Sequence, residues 1–333
     1  MRRDPRDRVT GAIARMGKID TEVEALAEQL RGTCGAQPDD EPSTIPNFWA
    51  HRPSEQFPPG AIVSPDAYQG GDRVSIACTQ TDLPAKAQRA LVENWCSALP
   101  AFSDLRYVWF QSRTTQALFE AACRLPNLEG LYVKWSGIDD LAPLQGVPTL
   151  LNLHLGSSPG VTSIAPLAGL RQLLRLDLEN LKSVQDLTPL SGLTNLVALS
   201  FLGEEFKRNA VASFAPLAPL SSLTWLHLGA LRTHDMSLRP LAALTGLEYL
   251  AIGNVFAIEE FAYLSARLPH TLCNWLKPYA RFHKSVFPCR TCRENWKVML
   301  SGKGRKLLCP TCDAVPLARH VLLYQKLRDA STT

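Results

Sequence analysis

Leu105, Val108 and Phe110 open a phrase that the chain writes seven times. It returns as Leu128-Leu131-Val133, Leu150-Leu153-Leu155, Leu173-Leu176-Leu178, Leu196-Leu199-Phe201, Leu223-Leu226-Leu228 and Leu247-Leu250-Ile252. Successive first positions lie 23, 22, 23, 23, 27 and 24 residues apart. A fixed period in the low twenties marks a solenoid: one coil cannot bury its own leucines, and stacking the coils makes one continuous core. Alternation within each phrase reads as a short strand with one face in that core.

A second phrase follows most of the strands. Asp140-Leu141-Ala142-Pro143-Leu144 recurs as Ser163-Ile164-Ala165-Pro166-Leu167, Asp186-Leu187-Thr188-Pro189-Leu190, Ser213-Phe214-Ala215-Pro216-Leu217 and Ser237-Leu238-Arg239-Pro240-Leu241, then fades to Glu260-Phe261-Ala262-Tyr263-Leu264. An Asp or Ser can accept from the orphan N–H groups of a short helical turn, and proline suits its first turn. Each unit is therefore strand, turn, capped short helix and return. These two phrases resemble the bacterial and SDS22-like class of leucine-rich repeats, whose units end in proline-leucine-x-x-leucine. The resemblance covers roughly half the chain and implies an α/β solenoid, with a parallel sheet on its concave face and short helices or 3-10 turns on its convex face. Two departures stand out. The family's asparagine after the strand is replaced by Ser136, Ser158, Leu181, Glu204, Leu231 and Val255, so the bends must be satisfied in another way. The long fifth step carries a polar bulge over residues 203–209.

Residues alternating with the leucines face away from the core. They include Tyr107, Trp109, Tyr132, Lys134, Trp135, His154, Arg175, Asp177, Glu179, Trp225, His227 and Tyr249. Tyr, Trp and Arg are the types enriched at binding hot spots, so this face is the expected seat of a protein partner. Aromatics flank a polar centre in repeat order; because Trp135 and Trp225 point away from the leucines, truncating either is expected to weaken partner binding by about 2 kcal/mol or more and to cost little stability.

Four cysteines form two C-x-x-C pairs, Cys289/Cys292 and Cys309/Cys312, with 16 residues between them. Two such knuckles can complete a tetrahedral shell of four thiolates, and residues 296–308 between them read as a hairpin with its tip at 301–304. The whole looks like a zinc ribbon holding structural zinc. Iron in a rubredoxin-like site is the alternative, because the second knuckle is Cys-Pro-x-Cys; the glycine expected after it is Asp313. His283 and His320 are expected at the surface. A helix is expected over 316–327. Cys78, Cys123 and the other scattered cysteines read as buried free thiols.

Outside these two signals the chain divides into a basic N-terminal segment with a short helix (1–35), a proline-rich linker or arm (36–60), a strand-plus-helix cap (61–104), the repeats (105–276) and the ribbon with its helix (277–333). A helix over 22–31 is too short to stand alone and must dock or fray. Phe48 and Trp49 are candidate anchors within the arm.

The 333 residues carry a formal charge of +4, but residues 277–333 hold 12 Lys/Arg against 3 Asp/Glu. Arg281, Lys284, Arg290, Arg293, Lys297, Lys303, Arg305 and Lys306 supply most of that excess. A nucleic-acid-associated adaptor using this basic ribbon is the rival to the protein-binding scaffold. Cations also balance the net negative charge of a four-thiolate zinc shell. No apolar run is long enough to span a membrane, and the arginine-rich start lacks a secretory core, so a cytoplasmic protein is expected. No glycine-rich phosphate loop, H-E-x-x-H or G-x-S-x-G phrase occurs, and neither an enzyme nor a small-molecule substrate is expected.

Overall fold

The computed structural model describes residues 21–31, 58–203, 209–282, 288–293, 297–303 and 307–332. They fall into two compact units, one of residues 58–253 and the other of helix 21–31 with 254–332.

The first unit is built on a sheet of nine parallel strands in the order β1-β2-β3-β4-β5-β6-β7-β9-β11. These are Ala61–Ile62, Arg73–Ile76, Tyr107–Phe110, Gly130–Val133, Asn152–Leu155, Arg175–Glu179, Ala198–Leu202, Trp225–Leu228 and Tyr249–Ile252. Each phrase sits beside the last without slippage. Val74, Val108, Leu131, Leu153, Leu176, Leu199, Leu226 and Leu250 form one cross-strand row. Every residue of that row is buried. Full burial of a leucine stabilises by roughly 1.5–3 kcal/mol, so the row alone fixes the register. Strands β1 and β2 and helix α2 (Ala85–Ala98) continue the sheet and cover its first end, with the Trp95 indole N–H donating to Val63 O at 2.8 Å. Helix α3 (Gln116–Cys123) is capped by the Thr115 hydroxyl, which accepts from the Leu118 N–H.

The convex turns are 3-10 helices, the first two at Ala142–Gly146 and Ala165–Gly169. Asp140, Ser163, Asp186, Ser213 and Ser237 each accept the N–H two residues ahead, at 2.8–3.2 Å. The bond therefore closes a turn just before the helix, and the following proline withdraws a donor that would otherwise go unmet. Where the family has asparagine, Ser136 and Ser158 join hydroxyl to hydroxyl at 2.7 Å, and Ser136 also accepts the Ile138 N–H. Leu181 and Leu231 fill the same place with buried apolar side chains. Glu204 lies outside the described residues. The long fifth step pairs strand β8 (Asn209–Val211) in parallel with β10 (Leu231–Thr233), a second small sheet absent from the other coils. Most of the polar bulge, residues 204–208, lies outside the described residues.

The second unit joins the two ends of the sequence. Strands β12 (Tyr279–Phe282), β13 (Lys297–Leu300) and β14 (Leu307–Leu308) form an antiparallel sheet, followed by helix α5 (Ala314–Asp329). Helix α1 (residues 21–31) places Val23, Ala27 and Leu30 in one apolar cluster with Val298, Leu300, Leu317, Ala318 and Val321. The phrase at Glu260 has lost its proline and begins with Glu259 and Glu260, which favour a helix N-terminus. It forms a true α-helix, α4 (Ile258–Arg267), whose Phe261 carbonyl accepts the Tyr324 hydroxyl of α5 at 3.2 Å. The hairpin forms as expected, with β13 and β14 antiparallel and the chain turning after Leu300. Ser301 is buried and donates to Lys277 O, while Gly302 adopts φ +108° and gives its N–H to Asn254 Oδ1. His320 is a correction: it is buried, with Nε2 2.9 Å from Pro278 O. His283 lies outside the described residues. Among the described residues no helix is long and apolar enough to cross a membrane.

Candidate functional site

On the sheet face away from the leucines, a single cross-strand row reads Ser75, Trp109, Tyr132, His154, Asp177, Ser200, His227 and Ala251. The row two residues earlier contains Arg73, Tyr107, Gly130, Asn152, Arg175, Ala198, Trp225 and Tyr249. Parallel strands lie about 4.8 Å apart, so side chains in one row are immediate neighbours.

One end is aromatic. Trp109 and Tyr132 stack at 4.6 Å, Tyr107 stands 6.4 Å from Trp109, and its hydroxyl donates to Glu129 Oε2 at 2.7 Å. Glu129 also holds Arg106. Gly130 makes room for this group, because a Cβ there would come within 2.8 Å of both the Tyr107 and the Tyr132 ring. The opposite end repeats the theme, with Trp225 stacked 5.6 Å from Tyr249 and edge-on to His227 at 5.7 Å.

Between them lies a polar cluster. His154 Nδ1 and Asp177 Oδ2 are 2.7 Å apart, and one donor atom each from His154, Asp177 and Glu179 lies within 4.8 Å of the others. Burial, then the Asp177 charge, raises the Glu179 carboxyl above its ordinary range. Burial lowers the His227 imidazole, and Asp177 opposes that shift. Ser200 separates Asp177 from His227 in register, so no imidazole stands between serine and aspartate as an acyl-transfer triad would require.

The twelve candidate residues are not equally exposed. Trp109 is 0% exposed and Tyr132 1%, and Tyr107 and Trp225 are also buried. For Trp225 the expectation that truncation would cost little stability is corrected: facing away from the leucines is not the same as facing solvent. Arg175, Glu179, His227 and Tyr249 are half-buried, and Lys134 is exposed. Trp135 lies beyond the end of β4, half-buried at the bend, with its indole N–H on Gln80 Oε1 at 2.9 Å and Lys134 over its ring. Asn152 and Ser200, which alternate with the leucines, lie in the same rows, and Glu129, just before β4, joins that surface through Tyr107 and Arg106.

The second cluster is the cysteines. Sγ of Cys289 lies 3.8 Å from that of Cys312, and Cys292 Sγ lies 3.5 Å from Cys309 Sγ. Thiolates at ~2.3 Å from a tetrahedral ion stand ~3.8 Å apart; these two separations are close to that, and all four sulfurs lie within 4.8 Å of one another, so the cluster could hold one ion. Backbone N–H groups of Cys292 and Thr291 pull the Cys289 thiol down to about 6, whereas hydrogen bonding to Cys292 and burial push Cys312 up to about 12. Four thiols this close cannot all ionise without a cation among them. Asp313 takes the place of the rubredoxin glycine and accepts the Cys309 N–H at 2.8 Å. The scattered Cys78 and Cys123 are buried, and burial pushes both thiols up to about 12. Of the basic residues, Arg290, Arg293 and Lys303 are exposed, Arg281 and Lys297 are half-buried, and Lys284, Arg305 and Lys306 lie outside the described residues.

Nine parallel strands, joined in coil after coil by short helical turns, make the fold a leucine-rich-repeat solenoid. Solved structures with which the chain aligns include internalin C2 of Listeria monocytogenes, at 27% identity over 46% of this chain and 64% of that one, with a TM-score of 0.38. A second Listeria internalin aligns at 18% identity over 60% of this chain and 79% of that one, TM-score 0.29. A leucine-rich-repeat protein of Leptospira interrogans aligns at 18% identity over 54% of this chain and 45% of that one, TM-score 0.38. The chain therefore spans less than two thirds of the internalin C2 and Leptospira chains. No family model and no curated protein matches it.

Proposed function

We propose that the protein is a non-enzymatic, cytoplasmic interaction scaffold that binds a protein partner on the outward face of its sheet and carries one structural zinc ion in the cysteine cluster. The observation that carries this reading is the pair of adjacent cross-strand rows, with rings toward both ends and a polar centre, on a pre-formed sheet. A rigid surface of this kind loses little conformational entropy on binding, and the half-buried rings of Trp135 and Tyr249 offer contact area with few rotatable bonds. Arg175, Asp177 and Glu179 would set orientation through charge complementarity.

The test is affinity purification of the full chain, followed by binding measurements with the partner recovered. Trp135→Ala and Tyr249→Ala are the informative variants because both side chains are only half-buried. Each should weaken binding by about 2 kcal/mol or more while the melting temperature holds. The exposed Arg239 on the convex side is the control and should change neither. Wild-type binding by both ring variants would move the partner site elsewhere. For the metal of the cysteine cluster, X-ray absorption should show zinc bound by sulfur, and Cys289→Ser with Cys292→Ser should remove that signal; iron bound by sulfur would overturn the assignment.

A further inference from the structure

We infer that His154, Asp177 and Glu179 form a second metal site, on the sheet face, for a divalent first-row transition ion bound through nitrogen and oxygen. The three residues come from two adjacent strands, with His154 directly opposite Asp177 in register and Glu179 two residues on, on the same face. One donor atom from each lies within 4.8 Å of the other two, close enough for a single ion to reach all three. The independent sign is Asp177 itself. It is 4% exposed, Oδ2 meets His154, and the buried Oδ1 has no hydrogen-bond partner. A buried carboxylate oxygen left unpaired is costly, and a bound cation supplies what the surrounding protein does not.

The chemistry of the donors selects the ligand class. An ion shared by the three would take His154 through Nδ1, in place of its hydrogen bond to Asp177 Oδ2, and Nε2 would then carry the ring proton. One imidazole and two carboxylates suit borderline ions such as zinc, ferrous iron, cobalt or manganese rather than a soft ion. This set shares no ligand type with the four-thiolate cluster, so the two sites are separable by spectroscopy. Three protein ligands leave at least one coordination position for water or for a carboxylate or imidazole from a bound molecule. Arg175 stands on the same face two residues before Asp177 and is the competing positive charge. The inference does not depend on the sheet face binding a protein.

Cobalt(II) titration of the full, purified chain tests it. Filling the thiolate cluster gives intense sulfur-to-cobalt charge-transfer bands; filling the proposed site gives weak ligand-field bands without them. The wild-type chain should take up two equivalents with these two signatures, and equilibrium dialysis against Zn2+ should count the same two. Asp177→Asn and Glu179→Gln should each lose the sulfur-free equivalent and keep the sulfur-ligated one. Glu179 is half-buried, so its variant serves if Asp177→Asn does not fold. No sulfur-free equivalent in the wild type, or a sulfur-free equivalent retained in either folded variant, overturns the site and leaves His154–Asp177 as a structural pair.

Discussion

Trp109 shows how far a residue's type can mislead about its role. Its position in the strand phrase places it opposite the leucines, where a tryptophan reads as a displayed anchor. In the folded protein it is stacked on Tyr132 and completely buried. Trp109→Ala should therefore destabilise the chain by about 3–5 kcal/mol, the cost of a large buried side chain plus the cavity it leaves. Urea unfolding followed by circular dichroism would show it as a lower midpoint at unchanged slope. A variant as stable as wild type would mean that the ring is not part of a packed layer. Lys134, exposed on the same edge, should be replaceable by alanine with a change within about 0.5 kcal/mol.

At the scale of single elements, small polar bonds and docked faces decide what forms. Asp186 accepts the Thr188 N–H ahead of a 3-10 turn, and hydrogen bonding to Thr188 holds its carboxyl below the ordinary carboxylate value. A lowered folded pKa means stability that is present above the unfolded pKa and is lost as pH falls through the folded one. Asp186→Ala should therefore be less stable than wild type at neutral pH, and the gap should close in acid; parallel urea titrations at the two pH values would measure it. Helix α1 raises a different issue, since eleven residues have little helicity alone. It is held by Val23, Ala27 and Leu30 against the ribbon sheet and α5. Leu30→Ala should cost about 2–5 kcal/mol within that unit. Hydrogen exchange should show faster exchange across 314–329 and no change across the nine-stranded sheet. Equal protection in both proteins would mean that α1 does not stabilise the unit.

For the whole molecule, two compact units imply two responses to metal removal. The cysteine knuckles and α5 belong to the unit formed by 21–31 and 254–332, whereas the sheet contains no cysteine ligand. Metal binding by a four-thiolate shell is coupled to folding of the segment that holds it. Replacing Cys289 and Cys292 by serine should therefore lower a first thermal transition and leave a second, repeat-derived one in place. A single transition that moves as a whole would show that the two units unfold together.

Much of the fold was legible in the chain because its causes are local and repeated. A leucine phrase every 22–27 residues determines strand spacing, register and core, and the Asp/Ser-x-x-Pro phrase determines where each coil turns. The cysteine spacing likewise foretold that four sulfurs would meet, since each knuckle is only four residues long. Three features arise only from the tertiary structure. The docking of α1 on the ribbon joins residues nearly 300 positions apart, and neither partner's apolar face names the other. The burial of the outward aromatics depends on how rings from successive coils lie against one another, with Gly130 making the room. The convergence of His154, Asp177 and Glu179 depends on parallel pairing that sets residue 154 beside residue 177. Sequence periodicity specifies which residues share a face, but contact, exposure and charge balance on that face are set only when the strands pair.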